Sequence, residues 1–311
     1  MKLPKRVLIT GITGSGGSYL SEYIARFFPE IIIYGFHRGN CNLNNSVLLR
    51  QKLWEVDPDI IFHLASDADV KASFDNPKDV LRNNIIGTCN LFETIRDLKI
   101  DPIIQHCSTS EVYGQVTKDD IPITEDCPIR PVSPYAISKT AQDFLAQTYF
   151  KSYGMRIVIT RMFAYINPRR TNLFASSFAL QIARIEVGLQ KELTHGNLNS
   201  VRTLIDVRDA MEAYWMAAMH CEPGEVYNIG GGEPITVGEF LDLLISKSKC
   251  KIKKRLDKAL LRPVDVTLQI ADSSKFKTAT GWEPKISYEE SVDWLLAESR
   301  RRIHESVDIN G

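Results

Sequence analysis

The apolar run Val7-Leu8-Ile9 breaks into Thr10-Gly11-Ile12-Thr13-Gly14-Ser15-Gly16-Gly17, and a helical pattern follows over Ser18–Phe28. No other stretch narrows the folding choices of this chain so far. Gly11, Gly14 and Gly17, spaced GxxGxxG between a buried strand and a helix, permit a tight turn. They also let backbone N–H groups approach a pyrophosphate. The helix N-terminus adds partial positive charge at the same place. The competing reading is a turn that needs glycine only for its shape. A strand before and a helix after favour the dinucleotide turn.

The pattern that begins there repeats. Val7–Thr10, Ile31–Phe36, Ile60–Ala65, Ile103–Cys107 and Arg156–Arg161 read as strands. Ser18–Phe28, Val47–Val56, Asn84–Leu98 and Pro134–Tyr153 between them read as helices. Such alternation predicts an α/β fold, a Rossmann-like doubly wound parallel sheet with helices on both faces. Ligands in such sheets bind beyond the carboxyl ends of the strands. After Phe163 the pattern changes. Tyr165–Asn172 reads as a polar loop; Ser176–Gly188, Asp206–Met219, Thr236–Ser248 and Ser287–Ile303 read as helices, and Val226–Gly230 as a strand. The expected division is a cofactor-binding domain over 1–163, with returning segments near 205–230, and a smaller interleaved substrate lobe over 164–311.

Charge excludes some partners. The chain has 38 basic and 38 acidic residues and no basic stripe, so neither nucleic acid nor a membrane surface is an expected partner. Cys41, Cys89, Cys107, Cys127, Cys221 and Cys250 form no CxxC pair and stand in no metal-ligand spacing, so reduced thiols and no metal are expected. No apolar stretch is long enough for a signal peptide or a membrane span, and a soluble cytoplasmic protein is expected.

Two further segments bear chemistry. Tyr135 and Lys139 lie one helical turn apart in Tyr135-Ala136-Ile137-Ser138-Lys139 and share a helix face. Such a lysine can lower the phenol's pKa and hold a nicotinamide ribose, leaving a base for oxidation of a sugar hydroxyl. The cluster Ser108-Thr109-Ser110-Glu111-Val112-Tyr113-Gly114 follows a strand. Thr109 can hydrogen-bond a substrate oxygen, and Glu111 is a candidate base for an acidic C–H beside a new ketone. Ser110, or Glu111 once protonated, can help a hydroxyl leave as water. A structural carboxylate is the competing reading of Glu111. The second strand ends in Phe36-His37-Arg38-Gly39-Asn40, with no acid for the ribose hydroxyls. Arg38 instead suits a 2′-phosphate, which favours NADP over NAD, with NAD the alternative. A solvated loop arginine is the competing reading.

At these residues the chain resembles the extended short-chain dehydrogenase/reductase superfamily, and within it the GDP-mannose 4,6-dehydratases and the related GDP-4-keto-6-deoxy-mannose reductases. Thr10–Tyr19 is similar to the nucleotide turn, Ser108–Gly114 to the catalytic Thr-x-Glu segment, and Ser133–Lys139 to the tyrosine helix. Pro168-Arg169-Arg170 is similar to a dehydratase loop. The resemblance implies a GDP-sugar or other nucleotide-sugar substrate and a redox-neutral 4,6-dehydration. It assigns Thr109, Ser110, Glu111, Tyr135 and Lys139 to catalysis. It assigns Gly11, Thr13, Gly14, Ser15, Gly16, Gly17, Arg38, Leu43, Leu64, Ala65, Ser66 and Asn84, with Tyr135 and Lys139, to the cofactor. Asn172, Asn197, Arg202 and Arg262 become the substrate contacts; the two arginines suit a diphosphate because a guanidinium offers a bidentate fork.

Three places depart from the family pattern: Asn42-Leu43-Asn44-Asn45 near the adenine, Ala164 where many relatives have Asn, and Thr203 in place of an Asp. A 4-keto reductase or a 4-epimerase, needing Tyr135 and Lys139 but not Glu111, is therefore the alternative. A non-catalytic cofactor-binding homologue is a third reading. By analogy with the superfamily, helices Asn84–Leu98 and Pro134–Tyr153 are expected to join a homodimer, with a tetramer as the alternative.

Overall fold

A computed structural model describes residues 3–261 and 264–308. The chain runs through β1 (Arg6–Thr10), α1 (Ser15–Phe27), β2 (Ile32–Phe36), α2 (Ser46–Val56), β3 (Ile60–His63), α3 (Val70–Asp75), α4 (Pro77–Leu81), α5 (Gly87–Leu98), β4 (Ile103–Thr109), α6 (Pro134–Tyr153) and β5 (Ile157–Met162). It continues through β6 (Tyr165–Ile166), α7 (Phe174–Glu186), β7 (Leu193–His195), β8 (Val201–Arg202), β9 (Ile205–Asp206), α8 (Val207–His220) and β10 (Val226–Ile229). It closes with β11 (Ile235–Thr236), α9 (Val237–Ser246), β12 (Lys254–Leu256), β13 (Leu268–Gln269), α10 (Ser274–Thr280) and α11 (Tyr288–Asp308).

Six parallel strands form one sheet in the order β2-β1-β3-β4-β5-β10, the Rossmann-like doubly wound sheet that the alternation predicts. Every residue of β3 and β5 is buried, because helices cover both faces. Leu20 and Ile24 of α1 pack with Tyr214 and Trp215 of α8 on one face. On the other, α2, α5 and α6 bring Leu49, Leu53, Leu91, Phe92 and Ala146 together. The chain leaves β1 for β2 on one side and crosses to β3 on the other, so a crevice opens where β1 and β3 end. A separate cluster joins α7, α9 and α11 through Phe178, Ile182, Phe240, Leu241 and Leu295. No helix among the described residues is long and apolar enough to cross a membrane.

Some elements differ from the expected bounds, with identifiable causes. α1 starts at Ser15, so Gly16 and Gly17 lie inside its first turn. A Cβ on Gly17 would stand 2.3 Å from the Gly11 carbonyl oxygen, so only glycine lets the helix enter there. β4 runs on to Thr109 because its pairing with β5 continues to Met162. A π-turn over Arg82–Ile86 occupies the expected start of the fifth helix, which begins at Gly87. Within the expected loop after Phe163, Tyr165 and Ile166 pair with β9.

Candidate active site

α6 places the Tyr–Lys pair. The Ser133 hydroxyl accepts the Ala136 N–H at 3.0 Å, Pro134 occupies the first turn, and Gly154 closes the helix at φ 70°. These are the start and stop signals of a well-capped helix. Tyr135 and Lys139, both buried, then face the end of β4. There Thr109 caps a short 3₁₀ turn, Ser110–Tyr113, by accepting the Glu111 N–H at 3.3 Å. The Thr109 side chain also hydrogen-bonds the Tyr135 phenol. Thr109, Ser110, Glu111, Tyr135 and Lys139 line one cavity with Gly14, Ser15, Gly16 and Gly17.

The electrostatics of that cavity differ from the expected arrangement. Burial pushes the Tyr135 phenol above its ordinary value, and the cation that most opposes this is Arg170. Lys139 is engaged elsewhere, its Nζ donating to the Cys107 carbonyl at 2.6 Å. Burial lowers the Lys139 pKa, opposed by Cys107 and by the Asp143 carboxylate one turn further along α6.

Beneath the cavity lies a buried polar frame. Arg161 Nε of β5 donates to Asp143 at 3.0 Å, and Arg161 Nη1 donates to the Tyr113 hydroxyl at 3.0 Å. Tyr113 in turn donates to Asn228 at 2.7 Å. The frame thus ties the helix carrying Tyr135 to the turn carrying Glu111. His63, wholly buried, bridges the Thr10 and Thr88 hydroxyls at 2.8 Å each. Burial, with the Lys139 charge nearby, drives its pKa down to about 3.

A second cavity shares Gly11, Gly14 and Ser66 with the first. Thr13, Arg38, Leu43, Ala65, Asp67 and Asn84 line it. The two form a trough along the ends of β1 and β3, and a dinucleotide fits its build. Gly11, at φ 75°, has no room for a Cβ, which would stand 2.9 Å from the Ala65 nitrogen. No side chain among the described residues caps α1, so the orphan N–H groups of its first turn are left for an anion.

All the residues assigned above to catalysis and cofactor therefore line one trough. Asn84 lies there with its side chain already engaged, clamping Asp67 to Ser138 of α6. Three of the substrate candidates do not line the trough. Asn172 donates to Asp69 at 2.8 Å. Asn197 donates to Asp265 at 2.7 Å in a separate groove beside Leu198 and Leu261. Arg202 is buried in β8 and donates to the Val266 carbonyl at 2.5 Å, because the register of β8 with β13 turns it into the strand pair. Arg262 lies outside the described residues. Among the trough residues with no role assigned from sequence are Asp67, Tyr165, Arg170 and Tyr214. Only Arg170 had a signal, its place in Pro168-Arg169-Arg170.

The family model for GDP-mannose 4,6 dehydratase matches residues 30–294. The GDP-6-deoxy-D-mannose reductase of Pseudomonas aeruginosa is 30% identical over 306 residues, covering 97% of this chain and 100% of that protein. GDP-mannose 4,6 dehydratase 1 of Arabidopsis thaliana is 30% identical over 332 residues, covering 96% and 90%. Among solved structures, RMD from Pseudomonas aeruginosa complexed with NADPH superposes with a TM-score of 0.89 at 30% identity, covering 96% of this chain and 99% of that one. The Thermus thermophilus UDP-glucose 4-epimerase complex with NAD gives a TM-score of 0.84 at 26% identity, covering 95% and 99%.

Proposed function

The chain belongs to the GDP-mannose 4,6-dehydratase family, and from that premise we propose that it is a nucleotide-sugar 4,6-dehydratase converting GDP-mannose to GDP-4-keto-6-deoxy-mannose with bound NADP. The observation that carries this reading is Glu111, which lines the same cavity as Thr109, Tyr135 and Lys139. Oxidation or reduction at C4 alone needs a tyrosine; elimination of water needs a second acid/base group.

A nicotinamide held between Lys139 and the glycine turn would supply the hydride chemistry, oxidation at C4 and reduction at C6. The protein's residues move the protons. Tyr135 Oη takes the proton of the C4 hydroxyl while Thr109 holds that oxygen. The new ketone acidifies the C5 hydrogen, which Glu111 removes as a proton. The C6 hydroxyl leaves as water, taking a proton from Ser110 or from the protonated Glu111, and the proton held by Tyr135 passes to C5 as C6 is reduced. Lys139 holds the nicotinamide ribose, and Arg38 holds the 2′-phosphate at the other end of the trough. Arg170 steadies negative charge on Tyr135. The family resemblance assigns the nucleotide end of the substrate to Asn172, Asn197, Arg202 and Arg262. Two copies meet through α5 and α6, where Ile137 and Phe144 stand half-exposed on the outer face of α6; a monomer by light scattering would overturn that pairing.

A reduction of a 4-keto sugar is the second reading. Its support is that this chain spans 100% of the Pseudomonas aeruginosa reductase and 90% of the Arabidopsis thaliana dehydratase. Incubation of the purified protein with GDP-mannose, without added cofactor, separates the two. Loss of one water by mass spectrometry, abolished in Glu111→Gln, is expected. No change with GDP-mannose, but reduction of a 4-keto-6-deoxy sugar once NADPH is added, moves the assignment to the reductase.

A further inference from the structure

The adenosine end of the trough carries a charge that the proposed reaction leaves unused. Asp67 lies in the turn after β3, and its backbone is pinned on both sides. Its N–H donates to Asn84 Oδ1 at 2.7 Å, and its carbonyl accepts from Asn84 Nδ2 at 3.1 Å. Asn84 is wholly buried, so that anchor is rigid. One carboxylate oxygen accepts from Asn83 Nδ2 at 2.7 Å, and the other accepts from Arg38. Asn83 is itself held by Asn44 at 2.9 Å. Arg38 differs: its side chain is 68% exposed against 31% for Asp67, and it is anchored by this ion pair. A fixed anion thus faces a cation on a long, solvated stem.

We propose that Asp67 is the residue that sets how strongly this enzyme distinguishes a 2′-phosphorylated dinucleotide from the unphosphorylated one. The proposal rests on the reading that the trough holds a dinucleotide with Arg38 at its adenosine end. Two effects act in the same direction. Arg38 must leave Asp67 before its guanidinium can fork onto a phosphate. The carboxylate also repels any phosphate dianion in the same cavity. An unphosphorylated ribose meets neither obstacle, and its hydroxyls can donate to Asp67. Dinucleotide sites that accept such a ribose usually draw that carboxylate from the end of the second strand. Here that strand ends at Phe36 and is followed by His37, and the acid comes from the turn after β3 instead. His37 and Cys41 are the other titratable groups lining this cavity with Arg38 and Asp67. NADP and NAD should therefore both bind, with a modest preference for NADP.

The test is the affinity of wild type, Asp67→Asn, Arg38→Met and the double variant for NADP and for NAD, by calorimetry at one fixed salt concentration. Asp67→Asn is expected to raise the NADP-to-NAD affinity ratio about fivefold, the scale of an exposed charge pair. Arg38→Met should lower the ratio more when added to Asp67→Asn than when added to wild type, because the freed arginine serves the phosphate fully. A ratio that moves less than about twofold overturns the proposal. So does equal weakening of both nucleotides, which would make Asp67 a loop brace, and so does failure of wild type to bind either. If the ratio shifts while GDP-mannose stays unchanged, the selectivity role stands and the dehydratase reading falls.

Discussion

Two arginine–aspartate pairs flank the trough, one at each end, and they share almost nothing but their chemistry. Arg161 and Asp143, beneath the Tyr–Lys pair, have side chains 3% and 0% exposed. Arg38 and Asp67, at the other end, are 68% and 31% exposed. The buried guanidinium also donates to Tyr113 and to the Glu125 carbonyl, so its charge is shared among fixed acceptors. The exposed one meets water and a single carboxylate. Removal from water makes each buried charge costly unless every partner is present. Exposure makes the outer pair weak and easily exchanged. The difference assigns each pair its work. A pair that cannot open can hold two catalytic segments in register, and a pair that opens readily can yield its arginine to a ligand.

The largest effect should come from breaking the inner pair. Arg161→Met removes the charge that opposes the burial of Asp143, and burial already raises the Asp143 pKa. An unpaired buried carboxylate should lower stability by about 3–5 kcal/mol, read as the urea midpoint at constant slope. Adding Asp143→Asn should recover part of that loss, since the penalty lies in the stranded charge. A loss below about 1 kcal/mol would mean that the inner pair behaves as a surface pair and that the comparison fails.

The inner end was also the more legible end from sequence, and for a physical reason. Its signals are local. Ser133-Pro134 and Gly154 mark both ends of α6 within one continuous stretch, so the expected and observed bounds agree. The glycine turn and the Thr109–Glu111 cluster likewise announce themselves by spacing. The sheet then brings the ends of β1 and β4 to one edge, where the first turns of α6 meet them. Asp67 and Arg170 reach the trough from loops after β3 and β6, and apart from the Pro168-Arg169-Arg170 likeness nothing near them in sequence says that the loops turn inward. Asp69 caps α3 and Pro77 opens α4, yet both helices are too short for apolar periodicity to show. Arg202 is a different case. Its residue type suits a diphosphate, but pairing of β8 with β13 sets its guanidinium against a backbone carbonyl.

A middle-sized effect tests whether burial governs the inner end. His63 is neutral in the folded protein, with a pKa of about 3, while the unfolded chain has the ordinary value near 6.5. Between those values the unfolded state binds a proton that the folded state does not. Stability is therefore complete above about pH 6.5 and falls as the pH drops toward 3. From neutral pH to about pH 5, His63 alone should remove about 2 kcal/mol. Urea midpoints across that range should show the slope, and His63→Gln should flatten it. A slope unchanged in His63→Gln would place the acid sensitivity elsewhere, with His106, also buried and held neutral, as the next group to replace.

The smallest effect belongs to the outer pair, and its smallness is what gives it meaning. Arg38→Met breaks an ion pair in water, so the stability change should stay below about 1 kcal/mol. The lost attraction is partly returned by hydration of Asp67 and by the freedom of the shortened side chain. Raising the salt concentration should shrink even that difference, because screening acts on exposed charges first. The Arg161→Met loss should hardly respond to salt, since its charges lie out of reach of mobile ions. Equal salt sensitivity at the two positions would show that the ends do not differ in kind. Unequal sensitivity would mean that the protein can surrender the outer arginine to a phosphate at little cost to the fold, which is what a selectivity device at that end requires.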